Sequence, residues 1–193
     1  MKAERTLVLA SQSPQRLKLL KSLRVPFRVI PARVSERSRE KDPRKLVRLL
    51  ALRKASAIGR RHPDALVLGA DTIVVCRGRI LGKPKNRRDG RLMLDLLNGR
   101  WHRVYTGVAL VHRRSRTAWL EAAVSRVKAR LLTSEALDRL AGKHPDKAGG
   151  YAVQDHHDPF IEKVVGAMDN VIGLPLANVR SLIRKAARHR SSR

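Results

Sequence analysis

An aspartate stands in the middle of the apolar run "ALVLGADTIVVCRGRIL" (65–81). A carboxylate there is costly unless it is paired, bound to a metal, or placed at a strand end facing a cleft. A structural carboxylate bonded to neighbouring N–H groups is the plainer alternative, but the position of Asp71 between two apolar halves favours a site. Lys54 precedes it on an expected helix. Lys83 follows it in "LGKPKN", where Gly82 and Pro84 place it in a rigid turn. A carboxylate beside lysines suits metal-assisted chemistry on phosphate. The lysines and a cation neutralise the phosphates, and the carboxylate holds the metal or polarises water.

Two other stretches carry candidate chemistry. In "LVLASQSPQRLKLL" (7–20) a strand ends at Ser11 and Ser13, and a helix begins at Pro14. A helix start exposes free N–H groups and a positive dipole end, both of which favour phosphate, and Arg16 and Lys18 add charged donors. A simple cap, with Ser13 at the N-cap and Pro14 at the first helical position, is the plainer local reading of the same residues. In "HPDKAGGYAVQ" (144–154), Asp146 and Lys147 precede a small-residue turn that a ligand can approach, and Gln154 offers a donor and an acceptor suited to reading a base. A surface ion pair on a loop-to-strand connection is the alternative. "DHHD" (155–158) has metal-ligand chemistry. Adjacent histidines on an extended chain point to opposite faces, however, and no partner cluster exists elsewhere, so a polar turn is the better reading than zinc. Neither a P-loop, a G-x-G-x-x-G pattern nor a nucleophile elbow occurs.

The elements that must position these residues follow from pattern. Residues 6–10 read as a buried strand, 14–24 as a helix with Leu17, Leu20 and Leu23 on one face, and 26–32 as a second strand. Pro43 opens a helix to about residue 61. The Asp71 run continues into a hairpin turned at Arg77-Gly78, and 89–98 form a helix ended by Gly99. Two long strands flank a polar turn at 113–116. Ser134–Ala141 is a helix, "GGYAVQ" becomes strand-like, and a last helix covers 175–187. Helices mixed with long antiparallel pairs predict an α/β fold with a mixed, twisted sheet.

Composition bounds the reading. A chain of 193 residues is long enough for one complete core, and 188–193 reads as a disordered basic tail after a single domain over 1–187. Lys and Arg number 43 against 16 Asp and Glu, a net charge of +27 that attracts polyanions of any kind. Aromatic residues make up only 3%, leaving few platforms for stacking bases. The single cysteine, Cys76, excludes an internal disulfide and fits a reducing compartment. No run approaches the roughly 20 apolar residues of a membrane helix. No signal peptide is visible, so a soluble cytoplasmic protein with no membrane partner is expected.

In order and spacing, "LASQSPQRLKLL", "GADTIVV", "LGKP", "MLDLLNGRWHRVYTGVALV", "DKAGGYAVQ" and "NVIGLPL" resemble the Maf family of nucleoside triphosphate pyrophosphatases across nearly the whole chain. The resemblance implies two lobes around a central cleft, similar to inosine triphosphate pyrophosphatases, and usually a homodimer. It implies hydrolysis of a nucleoside triphosphate to the monophosphate and pyrophosphate, with a divalent cation such as Mg²⁺ or Mn²⁺. By matching position, Asp71 is the catalytic carboxylate and Glu36 joins it at the metal. Ser11, Ser13, Arg16, Lys54, Lys83 and Lys147 hold the triphosphate, and Thr72 and Gln154 set base preference. "DT" and "DKAGGYAVQ" resemble the subfamily acting on dTTP and UTP. Two positions depart from the pattern. Gln15 stands where the family has arginine, at a position tied to substrate preference, and "QDHHDPF" (154–160) replaces a segment where relatives commonly have glycine. The competing expectation is a basic nucleic-acid-binding protein that kept the fold. The charge and "RKAARHRSSR" favour it, and the scarcity of aromatics and the lack of an RNA-binding motif oppose it.

Overall fold

A computed structural model describes residues 6–155 and 159–191. In chain order its elements are β1 (Leu7–Leu9), α1 (Pro14–Lys21), β2 (Phe27–Val29), α2 (Pro43–Gly59), β3 (Leu66–Cys76), β4 (Arg79–Leu81), α3 (Arg87–Leu97), β5 (Trp101–His112), β6 (Thr117–Ala129), α4 (Ser134–Leu140), β7 (Ile161–Val165), α5 (Met168–Ile172) and α6 (Leu176–Ser191). The strands follow the order β2-β1-β3-β5-β6-β7, with β4 added to β3. β1 runs parallel to β2 and β3, whereas the β3–β4 and β6–β7 pairs are antiparallel. The fold is the expected α/β with a mixed sheet.

The chain divides into two compact units. The first holds the described residues up to Asp71, Thr106–Ala123 and those from Gly173 onward; the second holds Thr72–Tyr105 and Val124–Ile172. In the first unit the two-residue period of the strands separates two cores. Leu7, Leu9, Leu68, Ala70, Val108 and Leu110 pack with Leu20 of α1 and Val179, Leu182 and Ala186 of α6. Val8, Ala10, Val67, Ala109 and Val111 pack with Ala51, Ala55 and Ile58 of α2. Strands covered on both faces explain why "LVLA" and "GVALV" read as continuous apolar runs. In the second unit Val74, Cys76, Leu94, Leu97, Val104, Val127, Leu137, Tyr151 and Phe160 form one core.

Local chemistry sets most boundaries. Asp42 caps α2, its Oδ1 accepting from Lys45 N at 2.8 Å, and Asn86 caps α3 by accepting from Asp89 N at 2.8 Å. The turn between β3 and β4 places Arg77 and Gly78 at φ 49° and 75°, the left-handed pair of a two-residue hairpin. Several expectations are corrected. α1 stops at Lys21 rather than residue 24, because Ser22 N and Oγ both return to the last turn and Arg24 adopts φ 54°. "YAVQ" is not a strand. Gly149 and Gly150, at φ 77° and 75°, turn the chain, and Tyr151 and Ala152 are buried consecutively instead of alternately. α6 runs to Ser191, past the expected end at residue 187, because "RKAARHR" consists mostly of strong helix formers and Ala186 anchors it in the core. Residues 192 and 193, and His156, His157 and Asp158 of "DHHD", lie outside the described residues.

Candidate active site

The site residues of the first unit are assembled by α2 against β3. Val67, Gly69 and Asp71 share one face of β3 by its period of two, the face covered by α2. Gly69 makes the approach close. A Cβ there would lie 2.2 Å from Ala51 O and 2.8 Å from Ala55 N, both main-chain atoms of α2. Gly107 does the same on β5, where a Cβ would meet Val47 O at 2.3 Å. With Ala51, Ala55 and Ile58 buried, Lys54 falls at the flank of the same helix face and reaches Asp71 at 2.5 Å. Its ammonium also pairs with Glu36 at 2.7 Å, so one cation gathers two carboxylates.

The carboxylates differ in environment. Asp71 is buried at 5% exposure, whereas the Glu36 side chain remains half exposed. Burial pushes the Asp71 carboxyl above the usual aspartate value. Lys54, by charge and hydrogen bond, and Arg16 pull the other way, and Glu36 adds to the rise. A carboxylate with raised basicity and a single strong ion pair is poised to accept a proton.

The β1–α1 junction completes this cluster. Ser13 caps α1, its Oγ accepting from Arg16 N at 3.4 Å, and Ser13 N donates to Ser11 Oγ at 3.2 Å. The capping expectation therefore holds as local structure. Arg16 turns inward: Nε donates to Gly173 O at 2.8 Å, and Nη1 donates to Ala70 O at 2.9 Å and lies 3.5 Å from Ser11 Oγ. Burial lowers the Arg16 pKa, and Asp71 and then Glu36 oppose that shift. Arg16 thus fixes α1 to the main chain beside Asp71 while contributing positive charge. Gln15 sits half-buried in the first turn of α1.

The remaining candidates belong to the second unit. Thr72 is half-buried on β3, next in sequence to Asp71. Lys83 is exposed between Gly82, whose carbonyl accepts from Gly149 N at 3.0 Å, and the buried Pro84, which packs beside Gly90. The turn carrying Lys83 and the Lys147–Gly150 segment are thereby pinned together within the unit. Lys147 pairs with Asp146, and Gln154 is half-buried three residues beyond Tyr151. Asp155 pairs with Lys143 at 2.9 Å. No group of three or more metal-ligating side chains occurs among the described residues.

Several residues that shape the site are missed by the sequence reading. Gly69 and Gly107 signal themselves only as glycines inside apolar strands. His102 and Tyr151 form a buried pair, with Nε2 and the phenol oxygen 2.8 Å apart and the rings edge to face. Burial lowers the His102 pKa to about 4, so the imidazole is neutral near pH 7 and holds Tyr151 behind the glycine turn. An isolated histidine in "RWHRVY" gives no such signal.

A family model described as Maf-like protein matches residues 6–186. The chain belongs to the Maf-like family. Family members of similar sequence include the dTTP/UTP pyrophosphatase of Elusimicrobium minutum (strain Pei191), 43% identical over 93% of this chain and 97% of its own length. The dTTP/UTP pyrophosphatase of Thermomicrobium roseum is also 43% identical, over 94% of this chain and 84% of its own. A solved structure of a HAM1 protein from Coxiella burnetii aligns with a TM-score of 0.46 at 15% identity, covering 78% of this chain and 89% of that one.

Proposed function

We propose that this chain is a nucleoside triphosphate pyrophosphatase, taking a nucleoside triphosphate and water to the monophosphate and pyrophosphate. Membership of the Maf-like family and relatives named dTTP/UTP pyrophosphatase support it. The single observation that carries the chemistry is the buried Asp71 joined through Lys54 to Glu36. In this reading Asp71 accepts a proton from the attacking water as the α-phosphorus gains an oxygen, and the bond to the bridging oxygen breaks to release pyrophosphate. Lys54 and the charge of Arg16 balance the phosphates. Ser11 and Ser13 offer hydroxyls, and Lys83 and Lys147 supply further ammonium groups. Gln15, Thr72 and Gln154 are assigned to base and sugar preference.

A divalent cation belongs to the same proposal. Asp71 and Glu36 are hard oxygen donors already converging on one ammonium, and a site of one or two carboxylates plus substrate phosphates is what Mg²⁺ commonly uses. The residues fit such an ion. When bound it would supply charge neutralisation at the phosphates. A homodimer and a cytoplasmic location are expectations carried with this reading. No helix among the described residues is long and apolar enough to cross a membrane.

The test is pyrophosphate release from a panel of common and modified triphosphates, with Mg²⁺, Mn²⁺ or chelator. Turnover of dTTP or UTP that disappears with chelator supports the proposal, and no turnover of any triphosphate overturns it. The charge of +27 favours a second reading, a nucleic-acid-binding protein on this fold. That reading takes precedence if hydrolysis is absent or requires bound nucleic acid.

A further inference from the structure

We propose, resting on the assignment of Lys83 and Lys147 to the triphosphate, that Tyr151, held by His102, is a positioning residue that sets the spacing of those two lysines. The pair is polar where an apolar one would serve. His102 and Tyr151 are 3% and 5% exposed, beside a core built from Val74, Leu94, Leu97, Val104 and Phe160. The His102 Nε2 and the phenol oxygen lie 2.8 Å apart. A hydrogen-bonded pair of this kind adds little net stability, and two apolar groups of the same shape do about as well. What the bond adds is direction. It fixes where the Tyr151 ring stands.

That ring bears on the turns that carry the lysines. A Cβ on Gly149 would lie 3.1 Å from Tyr151 Cε1 and 3.2 Å from Val74 Cγ2, so the ring edge packs closely against the Gly149 main chain. Gly150 N donates to Lys147 O at 3.1 Å and closes the turn that begins at Lys147. Gly149 N donates to Gly82 O at 3.0 Å, and Lys83 is the next residue. A Cβ on Gly150 would also meet Pro84 Cγ, on the other side of Lys83, at 3.9 Å. The path from His102 through Tyr151 and Gly149 to Gly82 thus joins β5 to both lysines, all within the second unit. The Lys147 ammonium pairs with the adjacent Asp146, so it follows its own turn.

Two glycines in succession are permissive, so the shape of the turn follows from what packs against it. Phe160 backs Tyr151, with ring centroids 5.7 Å apart. Burial lowers the His102 pKa to about 4, which leaves the imidazole neutral near pH 7. The pair therefore adds no charge at the phosphates, and its substitution reads geometry alone. Misplacing a substrate-holding group by about 1 Å is enough to lower a rate roughly 100-fold.

The experiment is a double-mutant cycle on the full chain, read by pyrophosphate release from dTTP and UTP. Tyr151→Phe keeps the ring and removes the bonded oxygen, and Lys83→Ala/Lys147→Ala removes the groups it positions. Tyr151→Phe is expected to lower kcat/KM about ten-fold alone and less than about two-fold in the lysine-free background, where the groups it acts through are gone. Equal losses in both backgrounds, or no loss alone, overturn the proposal. His102→Gln keeps a polar atom at the Nε2 position and should retain more activity than His102→Leu; equal activities count against the role. A second measurement needs no turnover. Hydrogen exchange at the Gly149 N–H should quicken about ten-fold in Tyr151→Phe while the amides of β3 keep their protection. Equal acceleration of both marks a general loss of stability and overturns the proposal. If wild type turns over no triphosphate, the enzymatic reading falls and this role with it; an active wild type with an unaffected Tyr151→Phe removes the role alone.

Discussion

Asp71 combines burial with a raised pKa, and both have measurable consequences. Its folded-state pKa lies above the unfolded one, so the stability it contributes is present below the ordinary aspartate value and lost as pH rises through the raised one. At neutral pH the charged form is a cost retained for function. Asp71→Asn is therefore expected to lower pyrophosphate release at least 100-fold, the scale of a lost general base, while the melting temperature holds or rises. Steady-state kinetics and thermal unfolding on the same preparations check both halves. At Gln15 a neutral amide replaces the fixed charge of arginine. Gln15→Arg should shift preference toward dTTP and UTP by about 1–3 kcal/mol in relative kcat/KM, read by competition between triphosphates; an unchanged ranking moves specificity to Thr72 and Gln154. His102 works through pH. Its folded pKa of about 4 lies below the ordinary 6.5, so the unfolded chain takes up a proton first as pH falls. Stability should decline between pH 6.5 and about 4 by up to about 3 kcal/mol and then level, and His102→Asn should flatten that slope in denaturant titrations.

At the scale of elements, the site depends on how closely α2 approaches the sheet. Gly69→Ala places a methyl group against main-chain atoms that cannot rotate away. Its cost is expected at the upper end of the roughly 1–3 kcal/mol of overpacked cores, with a larger loss of activity because Lys54 moves with α2. Gly82→Ala, with nothing within 4 Å of the added carbon, is the stability control. Chemical denaturation of both variants gives the comparison. The elements themselves were legible because their signals are local: Pro14 and Pro43 at helix starts, Arg77-Gly78 at the hairpin, Gly99 after α3. β7 and α5 were not, being five-residue segments with little burial, and β7 is a strand only through its antiparallel pairing with β6. The pairing of Lys54 with Asp71 could be suspected from residue type. Glu36 was named beside Asp71 only through the resemblance; its ion pair with Lys54, the inward turn of Arg16 to Ala70 O and Gly173 O, and the His102–Tyr151 pair all depend on contacts between distant parts of the chain.

For the whole molecule, the charge is the property with the longest reach. Binding to RNA or DNA of any sequence is expected at low salt, with log affinity falling linearly against log salt concentration. Triphosphate hydrolysis should persist at salt that abolishes this binding, because the largely buried Lys54–Asp71 pair is screened far less than surface arginines. Filter binding and kinetics across one salt series measure both. The discontinuity of the first unit has a different consequence. Its core joins Leu7 and Leu9 to Leu68, Val108 and Leu110, and then to Val179 and Leu182 near the other end of the chain. During synthesis the strands carrying Asp71 leave the ribosome well before α6 exists to cover them. The nascent chain must hold an uncovered apolar sheet face until α6 emerges, which makes the time between the synthesis of β5 and that of α6 the interval when a chaperone has most to protect.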